Sequence, residues 1–225
     1  MSLTSGRGPL GPTPAGRFSV PIPEGVVYVE PFPRRVRAVL DGREVVHSEH
    51  VLLVHRPGAP PTYAFPTDDV HGTLTEPEDE APGHVRVPWD AADAWFEEGE
   101  EVVGHPRNPY HRIDCLGTDR RLQVEVSGAV LVDTTDTLVL YETSLAPRLY
   151  VHPDAVRTDL LTRSPTTTYC PYKGTASHWT AVVGDVTVAD VGWSYEDPVP
   201  EALPIRGMFS FYDGRADVRA ELPTP

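Results

Sequence analysis

The first half of the chain resembles the second half in sequence. Laying residue 34 onto residue 120 aligns the halves at a spacing of 86 positions. The aligned groups are Arg34-Arg35-Val36 with Arg120-Arg121-Leu122, Gly42 with Gly128, Val46 with Val132, and Leu52 with Leu138. After one inserted residue, Tyr63 aligns with Tyr150 and Pro66 with Pro153, before Val70 falls on Val156 at the original spacing. Because self-similarity at a fixed spacing marks a repeated structural unit, we predict two diverged copies of one domain.

Both copies alternate apolar and polar residues about a glycine turn. In copy two, residues 124–132 read VEVSGAVLV, which is typical of a β-hairpin. Further strands are predicted at residues 137–142 and 149–151, followed by a short turn or helix from Pro153. The 25 prolines are about twice the usual share of roughly 5%, which indicates many turns. We therefore predict a mainly β fold with antiparallel sheets in two tandem domains.

The copies differ in the length of their central segment. Copy one has 12 residues between Val70 and Gly83, whereas copy two has 50 between Val156 and Gly207. Each glycine begins a strand-like segment, at residues 83–87 and 207–211. We interpret copy one as a degenerate copy that has lost an insertion, so copy two is the one expected to hold a site.

Residues 89–98 are predicted to form a helix between the copies. Trp89, Ala92 and Phe96 recur at helical spacing, and we interpret the resulting aromatic face as a surface that docks the two domains. The predicted organisation is a disordered tail at 1–16, the N-terminal copy at 17–88, the interdomain helix and linker at 89–118, and the C-terminal copy at 119–218. The tail contains GRGPLG, but a dinucleotide site would need a preceding strand and would not tolerate Pro9 in its turn.

Charge and composition argue against several functions. A net charge of -14, from 33 acidic and 19 basic residues, disfavours nucleic acid as a partner. The sequence has neither a signal peptide pattern nor an 18-residue apolar stretch, so we expect no membrane association. Two cysteines, Cys115 and Cys170, form no ligand motif, which favours a reducing, cytoplasmic location. We expect no cofactor, and the sequence carries no signal for an oligomeric state.

Two blocks of copy two resemble a known family. Residues 166–179 read TTTYCPYKGTASHW and residues 192–198 read GWSYEDP. Both resemble the signature of the family called domain of unknown function 427 (DUF427), and residues 89–101 and 105–114 resemble the interdomain block of its two-copy members. The resemblance implies a β-tent fold, similar in topology to methionine sulfoxide reductase B. It also implies an unassigned function, for which a nucleotidyltransferase-like label is in use.

The CPYKG segment of copy two is the predicted catalytic turn. Proline at its second position and glycine after its fourth are typical of a β-turn, which would bring Cys170 close to Lys173. A nearby ammonium favours a thiolate, so we predict Cys170 and Lys173 as catalytic residues, with His152 or His178 as a base. The alternative is that Cys170 ends a strand and points into the core.

Aromatic and charged residues crowd the same region and predict a pocket wall. The predicted ligand-binding residues are Glu142, Arg148, Tyr150, Tyr169, Tyr172, Trp179, Trp193, Tyr195 and Asp197. Aromatic rings supply apolar area and a few polar groups fix orientation, although the same rings also suit a core. We interpret Glu142 and Arg148 as a charge pair that copy one, with Arg56 and Pro61 or Thr62 instead, does not preserve.

Metal binding is a weaker hypothesis. His105, His111 and Asp114 are suitable ligand types, but structural hydrogen bonding of a linker is our preferred interpretation, and we predict no metal site. The leading hypothesis is that copy two binds a small metabolite at the CPYKG turn, with catalysis left open. The alternatives are a non-catalytic protein-binding scaffold and, on the family label alone, a nucleotidyltransferase-like enzyme.

Overall fold

The computed structural model describes residues 3–222, and the chain divides into two compact units, Met1–His111 and Arg112–Pro225. Each unit consists mainly of antiparallel strands, which confirms the predicted fold class. Within residues 3–222, none of the helices has the length and apolar character needed to cross a membrane.

The first unit contains two sheets. Its strands are β1 (Tyr28–Phe32), β2 (Val36–Leu40), β3 (Arg43–Ser48), β4 (Val51–His55), β5 (Thr62–Pro66), β6 (Glu76–Pro77), β7 (His84–Arg86), β8 (Ala94–Glu97) and β9 (Glu100–Val102). One sheet has the order β1-β4-β5-β7-β6 and the other has the order β3-β2-β8-β9. Between them lies an aliphatic and aromatic core that includes Val36, Leu53 and Phe65, all fully buried.

The second unit contains three sheets. Its strands are β10 (Ile113–Thr118), β11 (Leu122–Val126), β12 (Ala129–Thr134), β13 (Thr137–Glu142), β14 (Arg148–Tyr150), β15 (Leu161–Cys170), β16 (Gly174–Val183), β17 (Val186–Ser194), β18 (Phe209–Phe211) and β19 (Asp217–Ala220). The sheet orders are β10-β13-β14, β12-β11-β19 and β15-β16-β17-β18. The last sheet contains the segment that copy one lacks, so the insertion is itself a β-meander.

Strand register confirms the repeat. Val46 bridges to Val70 in the first unit, and Val132 bridges to Val156 in the second. In the sequence alignment Val46 matches Val132 and Val70 matches Val156, so the two bridges are equivalent. Strand β2 pairs with β3 and β8 just as β11 pairs with β12 and β19. The two copies therefore share a common β framework.

The predicted interdomain helix is wrong. Residues 89–91 form one turn of 3-10 helix, and residues 94–97 form β8, the counterpart of β19. Trp95 pairs with Ala38 of β2 and stacks on Trp89 with ring centroids 4.9 Å apart, so Trp89 and Trp95 pack in the core of the first unit. Phe96 is not part of this core, and its ring lies under the Arg37 guanidinium. A segment this short matches a helical period by chance. It forms a strand because pairing with the edge of β2 gives the backbone groups of both segments hydrogen-bond partners.

The described part of the predicted tail, residues 3–16, is a succession of turns. Thr4 is fully buried, and its hydroxyl donates to the Ala59 carbonyl at 2.6 Å. Met1 and Ser2 lie outside the described residues. Disorder of this segment in solution stays a prediction.

Candidate functional site

A cavity of about 280 Å³ lies in the second unit. Its lining residues are Leu140, Glu142, Leu145, Ala146, Arg148, Tyr150, Thr168, Lys173, Trp193, Tyr195 and Tyr212. Six of the residues predicted from sequence line it: Glu142, Arg148, Tyr150, Lys173, Trp193 and Tyr195. The volume is near the lower end of the range for small-ligand sites.

Strand alternation explains how these side chains reach one cavity. Leu140 and Glu142 are two positions apart on β13 and therefore share a face, and Arg148 of β14 pairs opposite Leu140. On the inserted sheet, Trp193 of β17 is the cross-strand partner of His178 of β16. The cavity thus combines a wall from the common β framework with a wall from the insertion.

The CPYKG turn forms as predicted, but Lys173 has a different partner. The Lys173 amide donates to the Cys170 carbonyl at 3.2 Å, which closes the β-turn. The Lys173 ammonium forms an ion pair with Glu142, and both residues are 8% exposed. Cys170 is partly exposed at the end of β15 and is not among the residues that line the cavity. A nucleophilic role for Cys170 stays a prediction.

The second cysteine of this unit packs beside the cavity wall. Cys115 contacts the apolar cluster that contains Leu140 and Tyr150. Burial raises the pKa of the Cys115 thiol, the charge of Asp114 adds to this effect, and the charge of Lys173 opposes it. Cys115 is therefore a protonated, weakly nucleophilic thiol at neutral pH.

Arg148 does not pair with Glu142, contrary to our interpretation from sequence. Its guanidinium donates to the Asp213 carboxylate at 2.8 Å and lies 6.0 Å from the centre of the Trp193 ring. In copy one, Arg56 aligns with Glu142 and forms an ion pair with Glu78. Copy one therefore preserves an ion pair at the position of Glu142, with the charge at that position reversed.

The aromatic wall is held by one buried hydrogen bond. The Trp193 indole donates to the Tyr150 hydroxyl at 3.0 Å, and the Tyr212 ring packs 4.3 Å from the Trp193 ring, centre to centre. Burial raises the pKa of both Tyr150 and Tyr195 above the usual value. Both phenols are therefore neutral at physiological pH and offer O–H donors to a ligand.

Comparison with known proteins assigns the chain to a family. The family described as Domain of unknown function (DUF427) matches residues 28–89 and 114–221. The chain belongs to the DUF427 family. The two matched segments are consistent with the two-copy form. A search of curated proteins found no match to the chain.

Four predicted ligand-binding residues of the second DUF427 copy do not line the cavity: Tyr169, Tyr172, Trp179 and Asp197. Tyr169 is 44% exposed. Trp179 packs against Phe209 and donates to the Ser194 hydroxyl at 2.9 Å. Asp197 is exposed and pairs with Arg206 at 3.0 Å.

Tyr172, in the CPYKG turn, is partly buried and also lies outside the lining. Sequence reasoning in turn missed Thr168 and Tyr212, which do line the cavity. Thr168 lies within the family signature, which could have drawn attention to it, whereas Tyr212 follows β18 and carried no signal.

No metal centre is found in the part of the chain that the structure describes. Within residues 3–222, no three His, Cys, Asp or Glu side chains group in a way that would hold a metal ion. Of the residues considered as ligands, His105 contacts the Pro106 carbonyl through Nδ1 at 2.7 Å, and Asp114 pairs with Arg112. His111 follows a turn in which its amide donates to the Asn108 carbonyl at 3.1 Å.

Proposed function

We propose that the second DUF427 copy binds a small metabolite in the cavity described above. The observation that carries the proposal is the convergence of Glu142, Lys173, Arg148 and two buried phenols on one aromatic-walled space. Ligand sites typically combine apolar walls with a few fixed polar groups. Copy one then serves as a structural partner domain.

The chemistry of the lining favours a ligand with a flat apolar part and polar ends. Trp193 and Tyr212 offer ring faces, and their mutual packing leaves them little freedom to move. The Arg148 guanidinium lies over the Trp193 ring, and the side chain is 38% exposed, so it is accessible to an anionic group. The phenols of Tyr150 and Tyr195 supply donors from the buried side.

The proposal includes a cytoplasmic location and no nucleic-acid partner. Two unpaired cysteines fit a reducing compartment, and the net charge of -14 disfavours a phosphate backbone.

Tryptophan fluorescence provides a direct test, because the second unit has two tryptophans and one lines the cavity. Metabolites would be screened for a rise in Tm, and each hit titrated while emission is recorded. We expect Trp193→Phe to remove the ligand-induced change in emission and to weaken binding, whereas Trp179→Phe leaves both in place. A panel in which no compound binds, or hits that bind both variants equally, would reject the cavity and favour a protein-binding scaffold.

A further inference from the structure

A second cavity adjoins the proposed ligand cavity in the second DUF427 copy. Its volume is about 320 Å³, and two residues, Ala146 and Arg148, line both cavities. Most of its other lining side chains are aliphatic, and they include Leu122, Leu149, Val218, Ala220 and Leu222. The proposed function as stated so far makes no use of this apolar cavity.

Strand pairing explains why aliphatic side chains surround the apolar cavity. Val218 and Ala220 of β19 are two positions apart and therefore share a face, and Leu122 of β11 is the cross-strand partner of Ala220. Leu122 and Leu149 are 2% and 3% exposed, whereas Val218, Ala220 and Leu222 pack against the same core cluster but are only partly buried. The apolar cavity is thus an opening at the edge of the core, where a ligand can reach aliphatic side chains.

The register of the repeat identifies the residues that copy one has at the same positions. Strand β8 pairs with β2 in the register in which β19 pairs with β11. With the two halves aligned at a spacing of 86 positions, this register makes Trp95 the counterpart of Val218 and Glu97 the counterpart of Ala220.

Both counterparts in copy one are large and buried. Trp95 is 2% exposed and belongs to the core of the first unit. Glu97 is 4% exposed and accepts a hydrogen bond from the Tyr63 hydroxyl at 2.6 Å. Val218 and Ala220 are smaller and only partly buried. Small side chains in copy two therefore stand where copy one packs an indole and a carboxylate, which explains an open apolar space in the copy that carries the ligand cavity.

Arg148 is the charged residue that the two cavities have in common. Its planar guanidinium carries five N–H donors, which suit the two oxygens of a carboxylate. Its ion pair with Asp213 is solvent-accessible, because the two side chains are 38% and 63% exposed. Exposed ion pairs contribute little to stability, so a ligand carboxylate can take the place of Asp213 at little cost.

We propose that the two cavities form one site, and that its ligand is a carboxylate with an aliphatic chain. The carboxylate pairs with Arg148, and the chain occupies the apolar cavity. This inference rests on the proposed function, because Arg148 also lines the ligand cavity and lies over the ring of Trp193. It narrows the small metabolite to an anionic, aliphatic class of ligand.

A series of straight-chain carboxylates tests this class directly. Hexanoate, heptanoate and octanoate would be titrated into the full-length chain by isothermal titration calorimetry. Burial of each further methylene should raise the affinity about fourfold. Octanamide has the same chain without the charge and should bind about tenfold or more weakly than octanoate. Arg148→Gln should abolish this difference, because it removes the guanidinium that pairs with the carboxylate.

Val218→Trp introduces the residue that copy one has at this position and should fill the apolar cavity. We expect octanoate then to bind no more tightly than hexanoate. Val130→Trp is the matched control, because Val130 is 50% exposed on the same sheet and lines neither cavity, so the dependence on chain length should persist. Near-ultraviolet circular dichroism checks folding, and Ala220→Leu is a smaller filling variant if Val218→Trp fails to fold.

Three results would each overturn the proposal: no binding of the carboxylates, an affinity that does not change with chain length, or a dependence on chain length that survives in the filling variant. A preference for octanoate that survives in Arg148→Gln would likewise reject the carboxylate site. If metabolites still bind with a change in Trp193 emission, only the apolar cavity is rejected and the proposed function stands. If no metabolite binds either, the proposed function fails as well.

Discussion

Loss of the Lys173 ammonium should destabilise the second unit strongly. The Glu142 and Lys173 side chains of this ion pair are 6% and 11% exposed, which places both charges away from water. Removing one partner of a buried pair typically costs about 3–5 kcal/mol, because the remaining charge stays buried. We therefore expect Lys173→Met, which keeps the length of the side chain, to lower the free energy of unfolding of this unit by that amount.

The matched control is an exposed ion pair in the same unit. Arg206 and Asp197 have side chains that are 57% and 93% exposed, so Arg206→Met should cost about 1 kcal/mol or less. Glu142→Leu combined with Lys173→Met removes both charges and should recover much of the loss, because no unpaired ion is then buried.

Hydrogen exchange read by mass spectrometry suits a chain of two units, because it reports each unit separately. At about 1.4 kcal/mol per factor of ten, exchange through unfolding of β13 should accelerate by roughly two to three and a half orders of magnitude in Lys173→Met. The reasoning would be refuted if Lys173→Met accelerated exchange no more than Arg206→Met, or if the double variant were less stable than the single one.

Two further predictions concern packing and pH. Gly192→Ala should destabilise the second unit by about 1–3 kcal/mol, because a Cβ there would lie 2.7 Å from the Ser210 carbonyl oxygen. Gly117→Ala is the control and should not destabilise the unit, because the space around Gly117 is open. Urea unfolding of both variants measures the difference. Burial lowers the pKa of His55, against the opposing effect of Glu30, so the first unit should lose stability as the pH falls below the value at which an unfolded histidine is protonated. His55→Gln should remove that part of the pH dependence of the urea midpoint, and an unchanged dependence would contradict the assignment.

Several features of the site followed from local sequence. The β-turn at Cys170 formed because proline and glycine occupy the positions that such a turn requires. The gathering of aromatic residues around Trp193 was also foreseen, since alternate residues of one strand share a face. Sequence could not separate Trp193 from Trp179, because the register shift between Trp179 and Ala181 changes how the inserted sheet presents its two faces.

Charge pairing was the least predictable property. Glu142 and Arg148 are six positions apart, and proximity in sequence suggested that they pair. In the structure Glu142 pairs with Lys173, 31 positions away, and Arg148 pairs with Asp213, 65 positions away. The ion-pair partner of a long side chain depends on which strands lie side by side, and that information is not contained in the local sequence.

The sequence by itself determined that the chain is a duplicated, mainly β protein of the DUF427 family whose second copy carries a long insertion. The duplication, the β content and the insertion follow from periodicity, turn residues and spacing, and the family follows from the resemblance of its signature motifs; all of these signals are local or repeated. Tertiary structure alone decided that residues 94–97 complete a sheet, that Lys173 neutralises Glu142, and that Arg148 lines two adjoining cavities. Those outcomes depend on register and sheet pairing between distant segments, and a shift of one residue would reverse which side chains meet.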